Sequence, residues 1–253
     1  HIKEAGHRLL VIDDMVHFDF YHADIILNQN LSANELYCYP CEPYTHLLMG
    51  TQYALLRREF ITWNRQQREI PDIARRVLVT MGGSDPDNIT STVLEVLQEI
   101  NVSGLETTVI AGATNRYFPE LKEYARRSHK LIHIVSNVSN MAELMSGADI
   151  AVSGSGSTCW ELAYMGVPIL VQVLAPNQEG IARELERNGI ALSLDLNSPT
   201  GQIKAIQILR DIINNKQQRM MMSQKGKTVV DGEGARRVVK YMKNKDRIHT
   251  SLD

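Results

Sequence analysis

Two glycine-rich turns hold the residues whose types and spacing most suggest chemistry. Gly82 and Gly83 follow the apolar run Val77–Thr80 after a single methionine. The second turn, Ser153–Thr158 (SGSGST), directly follows the apolar run Ile150–Val152. Glycines let backbone amides approach a phosphate, and a helix that begins at such a turn adds partial positive charge. Two such turns predict phosphate binding, although neither matches a dinucleotide fingerprint or a P-loop.

Glu161 places a carboxylate three residues after Thr158, at the start of the helix expected after the second turn. A carboxylate there can accept hydrogen bonds from the two hydroxyls of a ribose, as the acidic residue of dinucleotide folds does. It can equally cap that helix or offset its dipole. The residues alone leave both roles open.

The remaining reactive side chains carry weaker signals. His17 follows the acidic pair Asp13-Asp14 and is a candidate for contact with a ligand. Cys38 and Cys41 form a C-x-x-C, but no second pair completes a zinc site, so an incidental loop pair is the favoured interpretation. No Ser-His-Asp order and no H-E-x-x-H is present. The residues therefore indicate a nucleotide or sugar-phosphate binding protein and do not specify the reaction.

Apolar runs alternate with amphipathic segments of about 8–15 residues, which is typical of an α/β fold with a doubly wound parallel sheet. Strands are predicted at 9–12, 24–28, 53–56, 77–80, 107–111, 131–135, 150–152, 168–173 and 191–194. Helices are predicted at 119–127, 141–145, 159–165, 178–188 and 234–243. A further helix is expected to be capped by Asp87-Asn88, with an apolar face of Val93, Val96, Leu97 and Ile100.

A polar stretch, Asn64–Glu69, is the predicted linker between two such sheets, of which the first is incomplete. The predicted division is 1–68 for the remainder of an N-terminal domain, 69–225 for a nucleotide-binding domain, and 226–253 for a C-terminal helix and tail. The chain starts with His1 rather than Met, so an upstream segment is expected.

The composition excludes several classes of protein. The 253 residues are 43% hydrophobic and 22% charged, with a net charge of -2, as in an ordinary globular protein. Without an excess of positive charge, neither nucleic acid nor a membrane surface is an expected partner. Three cysteines indicate a reducing cytosol, and no apolar run approaches the roughly 20 residues of a membrane span. A cytoplasmic protein is expected.

Five motifs follow one another along the chain: Ile12–Asp14, Asp24–Asn30, Tyr53–Arg57 with Glu59-Phe60, Met81–Asp85 with Asn88, and Asp231–Arg237. Together they resemble the UDP-sugar hydrolases of pseudaminic acid biosynthesis. That family removes UDP from a 2,4-diacetamido-2,4,6-trideoxy sugar, and its last motif is also similar to that of related spore-coat polysaccharide proteins. The resemblance implies two Rossmann-like domains of the GT-B type, as in the glycosyltransferase that completes lipid II, with the N-terminal domain incomplete here.

The resemblance also implies which residues bind UDP, mainly on the second domain. Backbone groups near Val138, within Asn137–Met141, would contact uracil, and Glu161 would hold the ribose. Asn177 and Gln178 would point at the sugar or a phosphate. The diphosphate would be cradled by Gly154, Ser155, Gly156, Ser157 and Thr158, with help from Gly82 and Gly83.

Members of the family carry an N-terminal G-x-G-H-like loop whose histidine activates the attacking water. Residues 1–30 do not match that loop, so the general base is expected upstream of His1, with His17 as the candidate inside the chain. By itself the chain is then expected to bind UDP and to hydrolyse UDP-sugars poorly. The scheme needs neither metal nor cofactor, and a monomer with a small-molecule nucleotide sugar is expected. A GT-B glycosyltransferase that uses a UDP-sugar and a non-catalytic nucleotide-sugar-binding protein are the alternatives.

Overall fold

The computed structural model describes residues 1–63 and 68–243, which form two compact units. Unit 1 comprises His1–Arg57 and Val230–Asp253, and unit 2 comprises Arg58–Val229. Most of the predicted linker, residues 64–67, lies outside the described residues, as do residues 244–253. The last described helix groups with unit 1, whereas the sequence predicts a separate piece at 226–253.

Most predicted elements are confirmed, with ends that differ by at most two residues. The strands are β1 (Leu10–Ile12), β2 (Ile25–Asn28), β3 (His46–Met49), β4 (Arg76–Thr80), β5 (Glu106–Ala111), β6 (Leu131–Ser136), β7 (Ile150–Gly154), β8 (Ile169–Gln172) and β9 (Ala191–Leu194). The α-helices are α1 (Ala33–Leu36), α2 (Arg58–Thr62), α3 (Ile89–Gln98), α4 (Phe118–Arg127), α5 (Met141–Gly147), α6 (Thr158–Met165), α7 (Glu179–Arg187), α8 (Pro199–Asn214), α9 (Lys216–Val229) and α10 (Gly234–Lys243).

The strand predicted at 53–56 is wrong. The third strand is β3, and Gly50, with a φ of 101°, turns the chain directly after it. Thr51–Tyr53 then form one 3-10 turn. The apolar run packs its backbone against Gly234 of α10, where an added Cβ would lie 2.2 Å from the carbonyl oxygen of Ala54. A short apolar run cannot by itself distinguish such packing from a strand.

Both sheets are parallel, and unit 1 has the strand order β1-β2-β3. Unit 2 has the order β6-β5-β4-β7-β8-β9. The first three strands of unit 2 run outwards from β4 in one direction and the last three run outwards from β7 in the other. Ligands of open α/β sheets bind outside the carboxyl ends of the strands at such a reversal of strand order. The predicted parallel α/β fold class is therefore confirmed.

The central strands of unit 2 are apolar because helices cover both faces of the sheet. Val77–Val79, Ile150–Val152 and Ile169–Val171 are all buried. The predicted apolar face of α3 is confirmed, since its four residues named above are buried as well. Within residues 1–63 and 68–243, no helix has the length and apolar character that crossing a membrane requires.

Two arginines of unit 2 bind carbonyl groups at the ends of helices. Arg68 donates to the carbonyl oxygens of Met145 in α5, at 2.6 Å, and of Met165 in α6, at 3.4 Å. The fully buried Arg219 donates to the carbonyl oxygen of Ile212 in α8 at 2.6 Å. The last carbonyls of a helix lack partners within it and attract cations. Arg68 thereby anchors the carboxyl end of α6.

The motif Asp231–Arg237 holds α10 in unit 1. Arg237 donates to the Asp231 carboxylate at 2.6 and 2.8 Å and to the carbonyl oxygen of Gln52 at 2.8 Å. Gly234 allows the close approach to Ala54 described above. The motif that resembles the hydrolase family therefore has a structural role in this chain.

Candidate functional site

Three loops of unit 2 enclose a cavity of about 340 Å³ at the carboxyl ends of β4, β7 and β8. Both glycine turns line it, so two segments about 70 residues apart meet at the reversal of strand order. The lining residues are Met81, Gly82, Gly83, Ser84, Asp85 and Pro86 after β4, Ser153, Gly154, Gly156, Ser157 and Thr158 around the end of β7, and Leu174, Ala175 and Gln178 after β8.

The first turn depends on a loop that the sequence analysis did not single out. Gly82 has a φ of 77°, a conformation that favours glycine. An added Cβ at Gly112, after β5, would lie 2.1 Å from the carbonyl oxygen of Gly83. The hydroxyl of Thr114 donates to that same oxygen at 2.9 Å. The G-A-T sequence after β5 was the available signal, and it lacks the repeated glycines of the other two turns.

Backbone N–H groups of both turns have no hydrogen-bond partner within the described part of the chain. They belong to Gly82, Gly83 and Ser84 in the first turn and to Gly156, Ser157 and Thr158 in the second. Ser157 precedes α6 without a capping bond from its side chain. Such N–H groups, together with a helix amino end, favour an anion. The cavity is therefore suited to a phosphate group.

The two helices that follow the turns differ in whether their first N–H groups already have a hydrogen-bond acceptor. The carboxylate of Asp85, which is 2% exposed, accepts the N–H of Ile89 at 2.8 Å and of Thr90 at 3.0 Å. Asn88 of the predicted pair is the N-cap residue of α3, but its side chain makes no capping bond, and Asp85 supplies these bonds instead. Asp85 has a φ of 44°, and the turn that follows brings its side chain over the start of the helix. Asp85 occupies the N–H groups of Ile89 and Thr90 at the start of α3, whereas the N–H groups of Ser157 and Thr158 at the start of α6 remain without a bond among the described residues. The amino end of α6 is therefore the better anion site.

Gln178 directs an amide group at the second turn. Its Oε1 accepts the N–H of Leu174 at 3.1 Å and the hydroxyl of Ser155 at 3.3 Å. Its Nε2 would lie 3.8 Å from a Cβ added at Gly156. The amide is therefore oriented with its NH₂ group towards the turn, where it can donate to an anion. The side chain of Ser155 is fully buried and supports Gln178 from behind the turn.

The other residues implied by the resemblance do not line this cavity. Glu161 is half-buried on the first turn of α6, and Asn177 is exposed beside Gln178. Asn137, with a φ of 52°, and the half-buried Val138 follow β6 at the far end of the sheet, and the half-buried Met141 begins α5. Parallel strands bring these loops to the same edge. At about 4.8 Å per strand, β6 lies about 14 Å from β7.

In unit 1, a buried carboxylate organises the loop after β1. Asp13 accepts the N–H groups of Met15, Val16 and His17 and the hydroxyl of Tyr21. Burial alone would raise the pKa of Asp13, but these hydrogen bonds lower it to about 2. Since this carboxylate is ionised, His17 Nδ1, 2.7 Å away, carries the proton. The side chain of His17 is 56% exposed, and Nε2 is the ring nitrogen that the bond to Asp13 leaves free.

Residues 76–237 match the model of the glycosyltransferase family 28 C-terminal domain. The chain belongs to this family. The matched range begins at the first residue of β4 and contains both glycine turns and the whole six-stranded sheet. The cavity thus lies inside the family 28 domain.

Three curated relatives are similar to this family 28 chain. An uncharacterised protein of Methanocaldococcus jannaschii is 30% identical over 67% of the chain and 36% of its own length. The spore coat polysaccharide biosynthesis protein SpsG of Bacillus subtilis is 26% identical over 79% of the chain and 59% of its own length. The third relative is the pseudaminic acid cytidylyltransferase and UDP-2,4-diacetamido-2,4,6-trideoxy-beta-L-altropyranose hydrolase of Helicobacter pylori. It is 27% identical over 83% of the chain and 38% of its own length. The chain thus spans between about a third and three fifths of these relatives.

The crystal structure of MurG from Acinetobacter baumannii has a similar fold. The TM-score is 0.63 at 15% sequence identity, over 94% of this chain and 67% of that chain. The similarity confirms the predicted GT-B glycosyltransferase-like fold for the family 28 chain.

Proposed function

We propose that this chain binds the diphosphate of a UDP-sugar in the unit 2 cavity and that UDP is released by water attack at the anomeric carbon. The observation that carries the proposal is the set of N–H groups without partners, contributed to one cavity by both glycine turns. A diphosphate needs several donors from different directions, and the two turns supply them together with the amino end of α6.

The same groups would assist the reaction. As the anomeric C–O bond breaks, negative charge develops on the diphosphate oxygen that leaves with UDP. Fixed N–H donors and a helix dipole stabilise such charge without reorganising, and this stabilisation commonly accounts for more of an enzyme's rate enhancement than any other effect. Gln178 would add a side-chain donor near Gly156. No step of this scheme requires a metal ion.

The nucleoside would extend along the carboxyl edge of the sheet. Glu161 would accept hydrogen bonds from the two ribose hydroxyls, and backbone groups near Val138, within Asn137–Met141, would contact uracil. Asn177 would face the sugar. These roles come from the resemblance stated above, and the parallel sheet supports them by bringing all four loops to one edge.

The similarity to the Helicobacter pylori relative supports a 2,4-diacetamido-2,4,6-trideoxyhexose as the sugar and pseudaminic acid biosynthesis as the context. The oxygen of water would attack the anomeric carbon while the bond from that carbon to the diphosphate oxygen breaks. One water proton would pass to a general base, a step worth about 10² to 10⁴ in rate. His17 is the candidate base within the chain, since Nε2 is the ring nitrogen that the bond to Asp13 leaves free.

A glycosyltransferase is the second candidate function. The family 28 match and the similarity to MurG favour it. The UDP-sugar site would be the same, and the attacking group would be a hydroxyl of an acceptor molecule instead of water.

Hydrolysis and transfer can be distinguished by measuring both reaction products, UDP and the free sugar, with the full-length protein. The protein is incubated with UDP-2,4-diacetamido-2,4,6-trideoxyhexose in water enriched in ¹⁸O, with and without hydroxyl-bearing sugar acceptors. Hydrolysis predicts UDP and labelled free sugar in equal amounts, at a rate that acceptors do not raise. UDP release only when an acceptor is present would refute hydrolysis and support transfer. A calorimetric titration that detects no UDP binding would refute both.

A further inference from the structure

The cavity of unit 2 has many donors but no positively charged side chain among its lining residues. Its one charged lining residue is Asp85, whose carboxylate caps α3. A diphosphate carries at least two negative charges at neutral pH, and backbone amides supply only partial positive charge. A cation near the rim would therefore strengthen binding markedly.

Arg116, in the loop between β5 and α4, lies at this rim. Its Nη2 donates to the carbonyl oxygen of Pro86, a lining residue, at 3.1 Å. The same nitrogen donates to the hydroxyl of Tyr117 at 2.6 Å, and the guanidinium lies 4.8 Å from the centre of the Tyr117 ring. Nη2 is thus occupied, while the N–H groups of Nη1 and Nε remain available as donors to a phosphate.

The backbone beneath Arg116 is fixed against the first turn. The hydroxyl of Thr114 donates to the carbonyl oxygen of Gly83, and the backbone of Gly112 packs against the same carbonyl group. The buried Asn115 accepts the N–H of Tyr117 through its side-chain oxygen at 2.8 Å. The arginine is therefore exposed on a loop that is held in place beside the cavity.

No carboxylate neutralises the charge of Arg116 within the part of the chain that the structure describes, since none of those within residues 1–63 and 68–243 forms an ion pair with it. Arg126, in the following helix, makes two bonds of 2.9 Å to Glu123 instead. The charge of Arg126 is neutralised, and the charge of Arg116 is available to a ligand.

We propose that Arg116 is a phosphate-binding residue of the unit 2 cavity and contacts the diphosphate of the nucleotide. This inference rests on the proposed function and adds to it a side chain that neither glycine turn contains. The shared ligand chemistry is a nucleoside diphosphate or its sugar ester, both of which present the same phosphate oxygens.

The test measures the affinity of the full chain for UDP and for uridine by calorimetry. For Arg116→Ala we expect UDP affinity to fall by about 10-fold or more, as for losing a charge-assisted hydrogen bond, with uridine affinity unchanged. Arg116→Lys should recover part of the loss, because it keeps the charge, and Arg126→Ala is the matched control that should bind like the wild type. Arg116→Ala should also reduce the salt dependence of UDP binding.

Unchanged UDP affinity in Arg116→Ala would overturn the inference and leave the proposed function standing. An equal loss for UDP and uridine would also overturn it, because the arginine would then act only by shaping the loop. Absence of UDP binding by the wild-type chain would overturn the inference and the proposed function together.

Discussion

Gln178 Oε1 accepts the backbone N–H of Leu174 at 3.1 Å, and this bond decides which end of the amide faces the second glycine turn. In Gln178→Glu, one carboxylate oxygen can keep the bond to Leu174, and the other replaces the NH₂ group near Gly156. A negative acceptor then faces the phosphate instead of a donor. We expect UDP affinity to fall by about 10-fold or more, measured by calorimetry.

The matched variant is Gln178→Ala, which removes the donor without adding a negative charge and should lose less affinity. Uridine, which has no phosphate, should bind all three proteins alike. If Gln178→Glu binds UDP as tightly as the wild type, the side chain has no contact with the diphosphate.

Glu161→Ala tests the proposed ribose contact. Loss of charge-assisted hydrogen bonds should weaken UDP binding by about 1–3 kcal/mol. The wild type should also prefer UDP over 2′-deoxy-UDP, and the variant should lose most of that preference, since the 2′-hydroxyl no longer has its acceptor. Glu123→Ala, on the exposed side of α4, serves as the control. An intact preference for the ribose in Glu161→Ala would assign this carboxylate to the helix alone.

Asp13 should make the stability of the protein sensitive to acid. Its pKa is about 2 in the folded chain and about 3.9 in an unfolded one, so its contribution is complete above about pH 5 and is lost as pH falls through 2. Asp13→Asn should lower the free energy of unfolding by about 1–3 kcal/mol at pH 7 and less at pH 2. Thermal unfolding of both proteins between pH 2 and 7 measures this difference. The exposed Asp14→Asn is the control, and parallel pH profiles for Asp13→Asn and the wild type would contradict the prediction.

Arg219→Met should destabilise unit 2. Arg219 does not line the unit 2 cavity, so the loss of stability does not depend on nucleotide binding. The change leaves the carbonyl of Ile212 and its neighbours buried without a donor, and we expect a loss of about 3 kcal/mol or more in urea unfolding. Arg126→Met, at an exposed surface pair, should leave the urea midpoint close to that of the wild type. Similar stability of the two variants would mean that the carbonyls of α8 do not depend on Arg219.

Gly234→Ala should weaken the attachment of α10 to unit 1. A methyl group there would overlap the carbonyl oxygen of Ala54, which belongs to the backbone and cannot move aside easily. Hydrogen exchange should then show faster exchange of α10 amides. Ala235→Gly, at the next and exposed position, tests whether helix propensity alone explains the effect. Equal protection of α10 in the wild type and Gly234→Ala would exclude the packing role.

The sequence was informative where one local pattern determines one structure. Runs such as Val77–Val79 and Ile150–Val152 predict buried parallel strands, and two glycine turns after them meet at one cavity. Prediction failed where a residue acts on a distant or competing partner. Asp85 caps α3 from four residues upstream, and the run at 53–56 packs against Gly234 from the other end of the chain.

The same limit applies to the site. Gly112 supports the first turn through a backbone contact that no spacing rule reveals, because the two segments become neighbours only when β4 pairs with β5. Asp13 and Tyr21 likewise meet only once the loop after β1 has closed. To predict these contacts, the sequence would have to show which side chains are buried and which strands pair, and hydrophobic periodicity indicates neither.

Because α10 belongs to the same unit as His1–Arg57, that unit is assembled from two segments that unit 2 separates along the chain. A ribosome adds about 5–20 residues per second, so about 10–35 s of synthesis separates Arg57 from Val230. During that interval unit 2 can fold, while the surface around Ala54 remains uncovered because α10 has not yet been synthesised. The first unit is thus complete only after unit 2 has been synthesised, and a chain terminated before α10 would expose that surface to chaperones and proteases.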